Sequence, residues 1–344
     1  MTTSTARVPA GIVPRPRVYD LYWYFAAERQ AIFERRLQGS PGPWTDDRIL
    51  RTFKFCNVFR AADRVSQYMI RKVCYHGESC SPQDRLFQIV AFRTFSKEAT
   101  WEGLRERLGR YPLLRDLADG SFLAALDDVR AVSGGLYTGA FILCATDAYG
   151  QGLKHRNHAE LFKHMFLLED LADQMLEAQT LGEIYHRLKR FPLMGAFMSY
   201  QTAIDVNYSA EIVFSENDFT QAGPGALRGI RKAFLDTGRL SPTEIIQWMV
   251  ANQEREFERL DLPFGGLFGR PLHAIDCQGL FCELDKYCRE AAPDLSSARK
   301  RIKARFAPSS RVEPLFFPPK WQLAVPEVQV ARDRPSSEMQ PTLF

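Results

Sequence analysis

The stretch LGEIYHRLKRFPLMGAFMSYQTAID, residues 181–205, carries the local signal on which the fold turns. Ile184 and Leu188 recur at the spacing of one helical face, and Tyr200, Ala203 and Ile204 do the same on a second helix. Between them FPLMG, residues 191–195, has the form apolar–Pro–x–apolar–Gly, a tight turn joining two helices. Gly195 allows close approach of the backbone at the start of the second helix. The free N–H groups at that start are a ready phosphate site. Leu193, Gly195 and Phe197 are therefore candidates for holding a DNA backbone without regard to sequence.

Outward from this hairpin the chain reads as helices. The spacing predicts them over residues 20–37, 47–53, 57–73, 84–95, 100–107, 113–127, 158–175, 181–190, 196–208, 225–234, 242–260 and 279–291, with a basic helix over 295–305. Strand-like alternation is scarce, and 132–145 is open between a short hairpin and a helix entry. No internal repeat is visible. The expected fold is all-α, a bundle of helix pairs joined by short turns. Residues 1–17 are expected to be disordered, 18–306 to form one helical domain, and 307–344 to be a Pro-rich tail that wraps the surface and frays from about residue 332.

Composition fits a globular protein: 344 residues, 45% hydrophobic and 25% charged, with a net charge of +4. That balance excludes neither DNA nor small molecules, because a DNA enzyme needs a basic face rather than a basic chain. Basic residues cluster at Arg187, Lys189 and Arg190 and again at Arg299, Lys300, Arg301, Lys303 and Arg305. No run is apolar enough to span a membrane and no leader peptide is visible, so a cytoplasmic, reducing location is expected, with the seven cysteines as thiols.

Asp218 lies 23 residues beyond Gly195, in the sequence SENDF at 215–219. This arrangement resembles the helix–hairpin–helix DNA glycosylase superfamily, whose catalytic aspartate follows the hairpin glycine at about that distance. The chemistry suits it: a carboxylate beside the sugar stabilises oxocarbenium character and can position water while the target nucleotide is flipped out. The resemblance implies Asp218 as the catalytic acid, with Asn217 and Glu216 orienting it. Strand-nicking members carry a lysine just after the hairpin glycine. Ala196, Phe197 and Met198 stand there instead, so no lyase step is expected. Leu193 also occupies the usual place of a first glycine. A second glycine turn, Gly223 and Gly225 in GPGALRGI, could present further N–H groups to phosphate. The sequence contains no GxxxxGK[ST] and thus no P-loop.

Several stretches resemble a more specific family: YWYFAAERQ at 22–30, GPWTDD at 42–47, KFCNVFRAADRVSQY at 54–68, ENDF at 216–219, GPGA at 223–226 and GLFCELDKY at 279–287. Together they are similar to the helical domain of 5-hydroxymethyluracil DNA kinases and to DNA base hypermodification proteins. That resemblance covers about residues 20–305 and implies work on modified thymines in DNA. Asn57, Arg60, Asp63, Arg64 and Gln67 recur at three- and four-residue spacings, which would place them on one helical face. With Gln278, Glu283 and Lys286, and with Asp276 nearby, they are candidates for binding a flipped base or its substituent. A buried ion-pair network is the alternative. Trp23, Trp44 and Tyr68 are candidate stacking surfaces, although each alone suits a core.

Cys277, Cys282 and Cys288 match no metal-ligand spacing, and His155, His158 and His164 have no ligand partners at such spacing, so no metal or cofactor is expected. The leading expectation is a monofunctional DNA glycosylase that excises a modified, phage-type pyrimidine from double-stranded DNA and leaves an abasic site, with antiviral defence as its role. Two alternatives stay open: a transferase in thymine hypermodification of DNA, and a non-catalytic reader of modified DNA. No membrane and no obligate protein partner is expected.

Overall fold

A computed structural model describes residues 11–138, 148–295, 301–302, 304–307 and 313–326. Its described elements are helical apart from one small sheet. They run α1 (Pro16–Leu37), α2 (Arg48–Thr52), α3 (Arg64–Met69), α4 (Pro82–Phe95), α5 (Glu98–Leu108), α6 (Leu114–Asp119) and α7 (Ser121–Ser133). There follow α8 (Lys154–Lys163), α9 (Leu171–Glu177), α10 (Leu181–Lys189), α11 (Ala196–Val206), α12 (Pro224–Ala233), α13 (Pro242–Arg259) and α14 (Ala274–Ala291). β1 (Ile12–Pro14) pairs antiparallel with β2 (Phe234–Thr237) and ties the chain's start to the end of α12.

Local chemistry sets the helix starts. Ser81 and Ser241 accept from the backbone N–H of Asp84 and Glu244, whose carboxylates reach back to the serines, and Pro82 and Pro242 occupy the first helical turn. Asp47 caps α2, accepting from Ile49 and Leu50, while Thr45 steadies Asp47 itself. α4 is buried on every side from Arg85 to Phe95 and forms the centre of one layer, against α9 and α11. α1 packs with α12, α13 and α14 in the other, around the fully buried Trp23 and Tyr22.

α12 and α14 approach closely because two glycines let them. A Cβ at Gly229 would lie 2.0 Å from the carbonyl oxygen of Phe281, and one at Gly225 would lie 2.8 Å from the sulfur of Cys282.

The all-α expectation is met, and the hairpin between α10 and α11 is a tight turn in which Leu193 takes φ +69, the left-handed region where glycine would be free of strain. Five expectations change. The helix over 57–73 is three pieces: a 3-10 turn at Arg60–Ala62, α3, and a π turn at Ile70–Cys74. Residue Asp63 sits extended between the first two, so the polar stripe does not share a face. Gly120, at φ +85, splits 113–127 into α6 and α7, and a π turn at His164–Leu168 splits 158–175. The described part of the basic segment is not helical, with Arg305 bridging Phe53. Ile12–Pro14 is ordered as a strand and α1 begins at Pro16, although 1–17 read as disordered. Residues 1–10, the later part of 132–145, 296–300 and the tail from 327 lie outside the described residues.

Candidate functional site

The irregular segment between α2 and α3 organises the site. Phe53 pairs with Arg305, and the backbone closes on either side, Lys54 N–H to the Ala304 carbonyl at 2.9 Å and Phe306 N–H to the Thr52 carbonyl at 3.0 Å. Beyond it the backbone donors find carboxylates instead of a helix. Cys56 N–H donates to Glu283 Oε2 (3.2 Å), Asn57 N–H to Asp63 Oδ1 (2.9 Å) and Arg60 N–H to Asp276 Oδ1 (2.9 Å). Two of these acids lie on α14, so the segment is laid along that helix.

The same segment walls a cavity of 270 Å³. Trp44, Phe53, Phe55 and Phe306 give it aromatic sides, Ile32 and Leu50 add aliphatic surface, and Arg29 and Arg51 bring charge. Arg29 Nη2 donates to Asn57 Oδ1 at 2.6 Å, and no carboxylate among the described residues pairs with its guanidinium. Trp44 also borders a second, polar cavity with Tyr24, Glu28, Arg35 and Asp47. There Asp47 Oδ2 accepts from Tyr24 (3.2 Å) and Tyr287 (2.5 Å). Arg51, Lys54 and Arg305 are exposed around the first cavity and its flanking backbone pairing, and none makes an ion pair among the described residues.

Behind Arg29 lies a polar cluster. Lys286 Nζ meets Glu283 Oε1 at 2.5 Å. Burial, with the Glu283 charge adding to it, pushes the Asp63 carboxyl up to about 6, against the Asn57 N–H that favours the ion. The Glu283 charge pushes the Cys56 thiol well above its ordinary value.

A second network sits deeper. Arg60 binds Asp205 at 2.7 Å and the Gln201 amide oxygen at 2.8 Å, and Arg93 binds the other oxygen of Asp205. Glu216 pairs with Arg270 at 2.8 Å. Burial raises Glu216 to about 7, with Arg270 opposing and Asp276 assisting, and burial raises Asp276 to about 6. Arg270 stacks over Trp321 at 3.9 Å. Next to Trp321, Lys320 donates to the carbonyls of Asn207 (2.5 Å), Ser209 (2.8 Å) and Ile212 (2.6 Å).

The expected site residues scatter across these features. Asn57, Asp63, Glu283 and Lys286 come together beside the aromatic cavity. Arg60 turns into the deeper network instead. Arg64 is exposed and pairs with Glu98, and Gln67 exchanges hydrogen bonds with the backbone of Phe316, so neither reaches that cluster. Gln278 contacts the sulfur of Cys282 at 3.4 Å. Three neighbours that were expected to act together diverge: Glu216 is buried, Asn217 Oδ1 accepts from Ala274 N–H at 2.9 Å and so caps α14, and Asp218 is exposed in a turn.

Gly195 begins α11 at the surface, with nothing near where a Cβ would stand. The ring of Phe197 lies against Gly223, 2.7 Å from a Cβ placed there, and Gly225 faces Cys282. Both glycines thus have a packing duty. Trp23 is core, and Tyr68 donates to Glu102 at 2.5 Å.

Cys277 and Cys288 are buried, and His155, His158 and His164 have separate partners in Asp127, Tyr137 and Tyr149. No group of three potential metal ligands forms among the described residues. No described helix is long and apolar enough to cross a membrane. Arg29, Phe55, Phe306 and Arg270 were not among the expected site residues. The available signal was position: Arg29 and Phe55 fall within the stretches 22–30 and 54–68.

The model of the family described as "5-hmdU DNA kinase, helical domain" matches residues 16–297. A curated relative, the "5-hmdU DNA kinase" of Bacillus phage SP10, is 26% identical over 287 residues. The alignment covers 78% of this chain and 45% of the relative, so the chain spans under half of that protein's length. No solved structure matches the chain. These findings overturn the excision reading. They point to a family of 5-hmdU DNA kinase helical domains, not to a hydrolytic glycosylase that leaves abasic sites. The exposed, unsupported position of Asp218 agrees with that correction, because a carboxylate in open water has no means of concentrating its field on a sugar cation.

Proposed function

Because the chain belongs to the family of 5-hmdU DNA kinase helical domains, we propose that it binds DNA carrying a 5-hydroxymethylated pyrimidine and serves a group transfer at that substituent. Among the earlier alternatives this is the transferase. The observation that carries it is the family match over residues 16–297, which takes in almost every residue of the cluster and cavity described above.

The chemistry is consistent with the residues present. Transfer onto a hydroxymethyl oxygen requires loss of its proton, and a carboxylate with a value near the working pH is suited to take it up. Asp63, raised to about 6 beside Glu283, Lys286 and Asn57, is such a group. The sequence contains no GxxxxGK[ST], so the nucleotide donor is not assigned to a loop of this chain. What this chain contributes, on this reading, is the grip on DNA and the presentation of the base.

The test uses the full chain and two duplexes that differ at one base, 5-hydroxymethyluracil or thymine. Fluorescence anisotropy should show tighter binding to the hydroxymethylated duplex, and nucleoside mass spectrometry should find every modified base still attached to DNA. Equal affinity for the two duplexes, or release of free 5-hydroxymethyluracil, sinks the proposal.

A further inference from the structure

We propose that the aromatic cavity receives a single pyrimidine base swung out of DNA, and that Arg29 makes it select a uracil-type base with a 5-hydroxymethyl group over the cytosine counterpart. This rests on the DNA-base reading above and adds the place and the selectivity.

Size is the first argument. At 270 Å³ the cavity lies just below the range of roughly 300–1,000 Å³ typical of drug-sized ligands and has room for a pyrimidine base. The walls are the second. Trp44, Phe53, Phe55 and Phe306 offer ring surface, and ring surface holds any flat base by stacking.

The third argument is Arg29. One nitrogen is engaged by Asn57, and although the charges of Asp63 and Glu283 favour the guanidinium ion, neither carboxylate bonds to it, so donors remain for a ligand. In 5-hydroxymethyluracil the O4 carbonyl and the hydroxymethyl oxygen stand side by side. They form two adjacent acceptors, as O6 and N7 do on guanine, the edge that an arginine fork reads. Cytosine replaces O4 with an amine, which would set donor against donor. Thymine keeps O4 and loses the second acceptor.

The rim is the fourth. Arg51 lines the cavity, while Lys54 and Arg305 belong to the pairing that holds Phe306 in place. Three exposed cations without ion-pair partners among the described residues, one lining the cavity and two on the pairing that flanks it, match the phosphates flanking an extruded nucleotide. Removing a base from the stack costs a few kcal/mol, which stacking and phosphate contacts of this kind can offset.

The experiment measures affinity of the full chain for duplexes bearing one 5-hydroxymethyluracil, 5-hydroxymethylcytosine or thymine, with 2-aminopurine beside the site to report extrusion. The native protein should prefer 5-hydroxymethyluracil over 5-hydroxymethylcytosine by about tenfold or more. Arg29→Gln should collapse that ratio. Phe306→Ala, on a non-helical segment at the edge of the cavity, should suppress the 2-aminopurine signal and answers the question if Arg29→Gln does not fold. A preference over thymine that survives while both variants leave the ratio and the signal intact overturns this proposal alone. No preference over thymine in the native protein overturns the functional reading with it. Competition by free 5-hydroxymethyldeoxyuridine monophosphate at DNA-like concentrations would make the occupant a free nucleotide and overturn extrusion from DNA.

Discussion

Arg60 and Asp205 meet at 2.7 Å where Asp205 is fully buried, and this pair fastens the irregular segment before α3 to the second helix of the hairpin. Arg93 shares the same carboxylate. Removing the acid would leave two buried guanidinium groups without their counter-charge. Breaking a buried pair of this kind costs about 3–5 kcal/mol. Asp205→Ala should therefore lower stability by at least that range in urea unfolding, and Asp205→Asn by less, because the amide still accepts a hydrogen bond. A loss under about 1 kcal/mol for the alanine variant would show that the network is dispensable.

Gly229 offers a sharper steric test. Its missing Cβ is what permits the Phe281 carbonyl to lie against α12, since the added atom would sit 2.0 Å from that oxygen. Backbone on both sides cannot yield as a side chain could. In an open helix glycine to alanine stabilises by about 1 kcal/mol. Here Gly229→Ala should destabilise, by about 1–3 kcal/mol or more as an overpacked contact. A rise in melting temperature would mean that α12 and α14 can part without cost.

These two sites show what the sequence could and could not disclose. Helix existence was legible because apolar periodicity and caps are local: Ser81 with Asp84, Ser241 with Glu244, and Asp47 before α2. The hairpin was legible for the same reason, through Pro192 and Gly195. The breaks were not, because the backbone donors of Cys56 and Arg60 abandon the helix for Glu283 and Asp276, acids more than two hundred residues away. A polar residue every three or four positions looked like one face for want of that information.

The case for Asp218 lies in its distance along the chain from Gly195, and distance along a chain does not report burial. Its neighbour Glu216 is the buried acid, and the pairing with Arg270 that marks it is again non-local. The aromatic cavity was hidden for a further reason. Trp44, Phe55 and Phe306 come from three separate parts of the chain, and each alone reads as core.

Glu216 carries a pH signature. Its value of about 7 when folded lies above the ordinary 4.5, and those of Asp63 and Asp276, about 6, lie above 3.8. Between the ordinary and folded values the native state holds more protons than the unfolded one. Stability from these groups is thus full below about pH 4 and is lost as pH rises through 6 to 7. Melting temperature should fall between pH 5.5 and pH 8, against the usual acid-labile trend, and Glu216→Gln should flatten the upper part of that fall. A melting temperature that climbs over the interval, unchanged in the variant, would show that these carboxylates stay ionised in the fold.

Two basic surfaces compete for the phosphates, and salt dependence separates them. One is the rim of Arg51, Lys54 and Arg305. The other is the hairpin, where Lys189 and Arg190 are exposed beside the start of α11. Each phosphate contact contributes about 0.9 to the slope of log affinity against log salt on duplex DNA, so losing one cation should flatten the slope by about 1. If extruded bases enter at the aromatic cavity, the triple variant Arg51→Ala, Lys54→Ala, Arg305→Ala should flatten the slope by about 2–3 and weaken all duplexes alike, leaving the ratio between modified and plain bases in place. The pair Lys189→Ala, Arg190→Ala should flatten it by about 1–2 if the hairpin grips the duplex alongside. A slope that either variant leaves untouched removes that surface from the DNA path. The positions of the two patches would then fix how the duplex runs past the cavity, because only a strand that reaches both can be held at the hairpin while its base enters between Trp44 and Phe306.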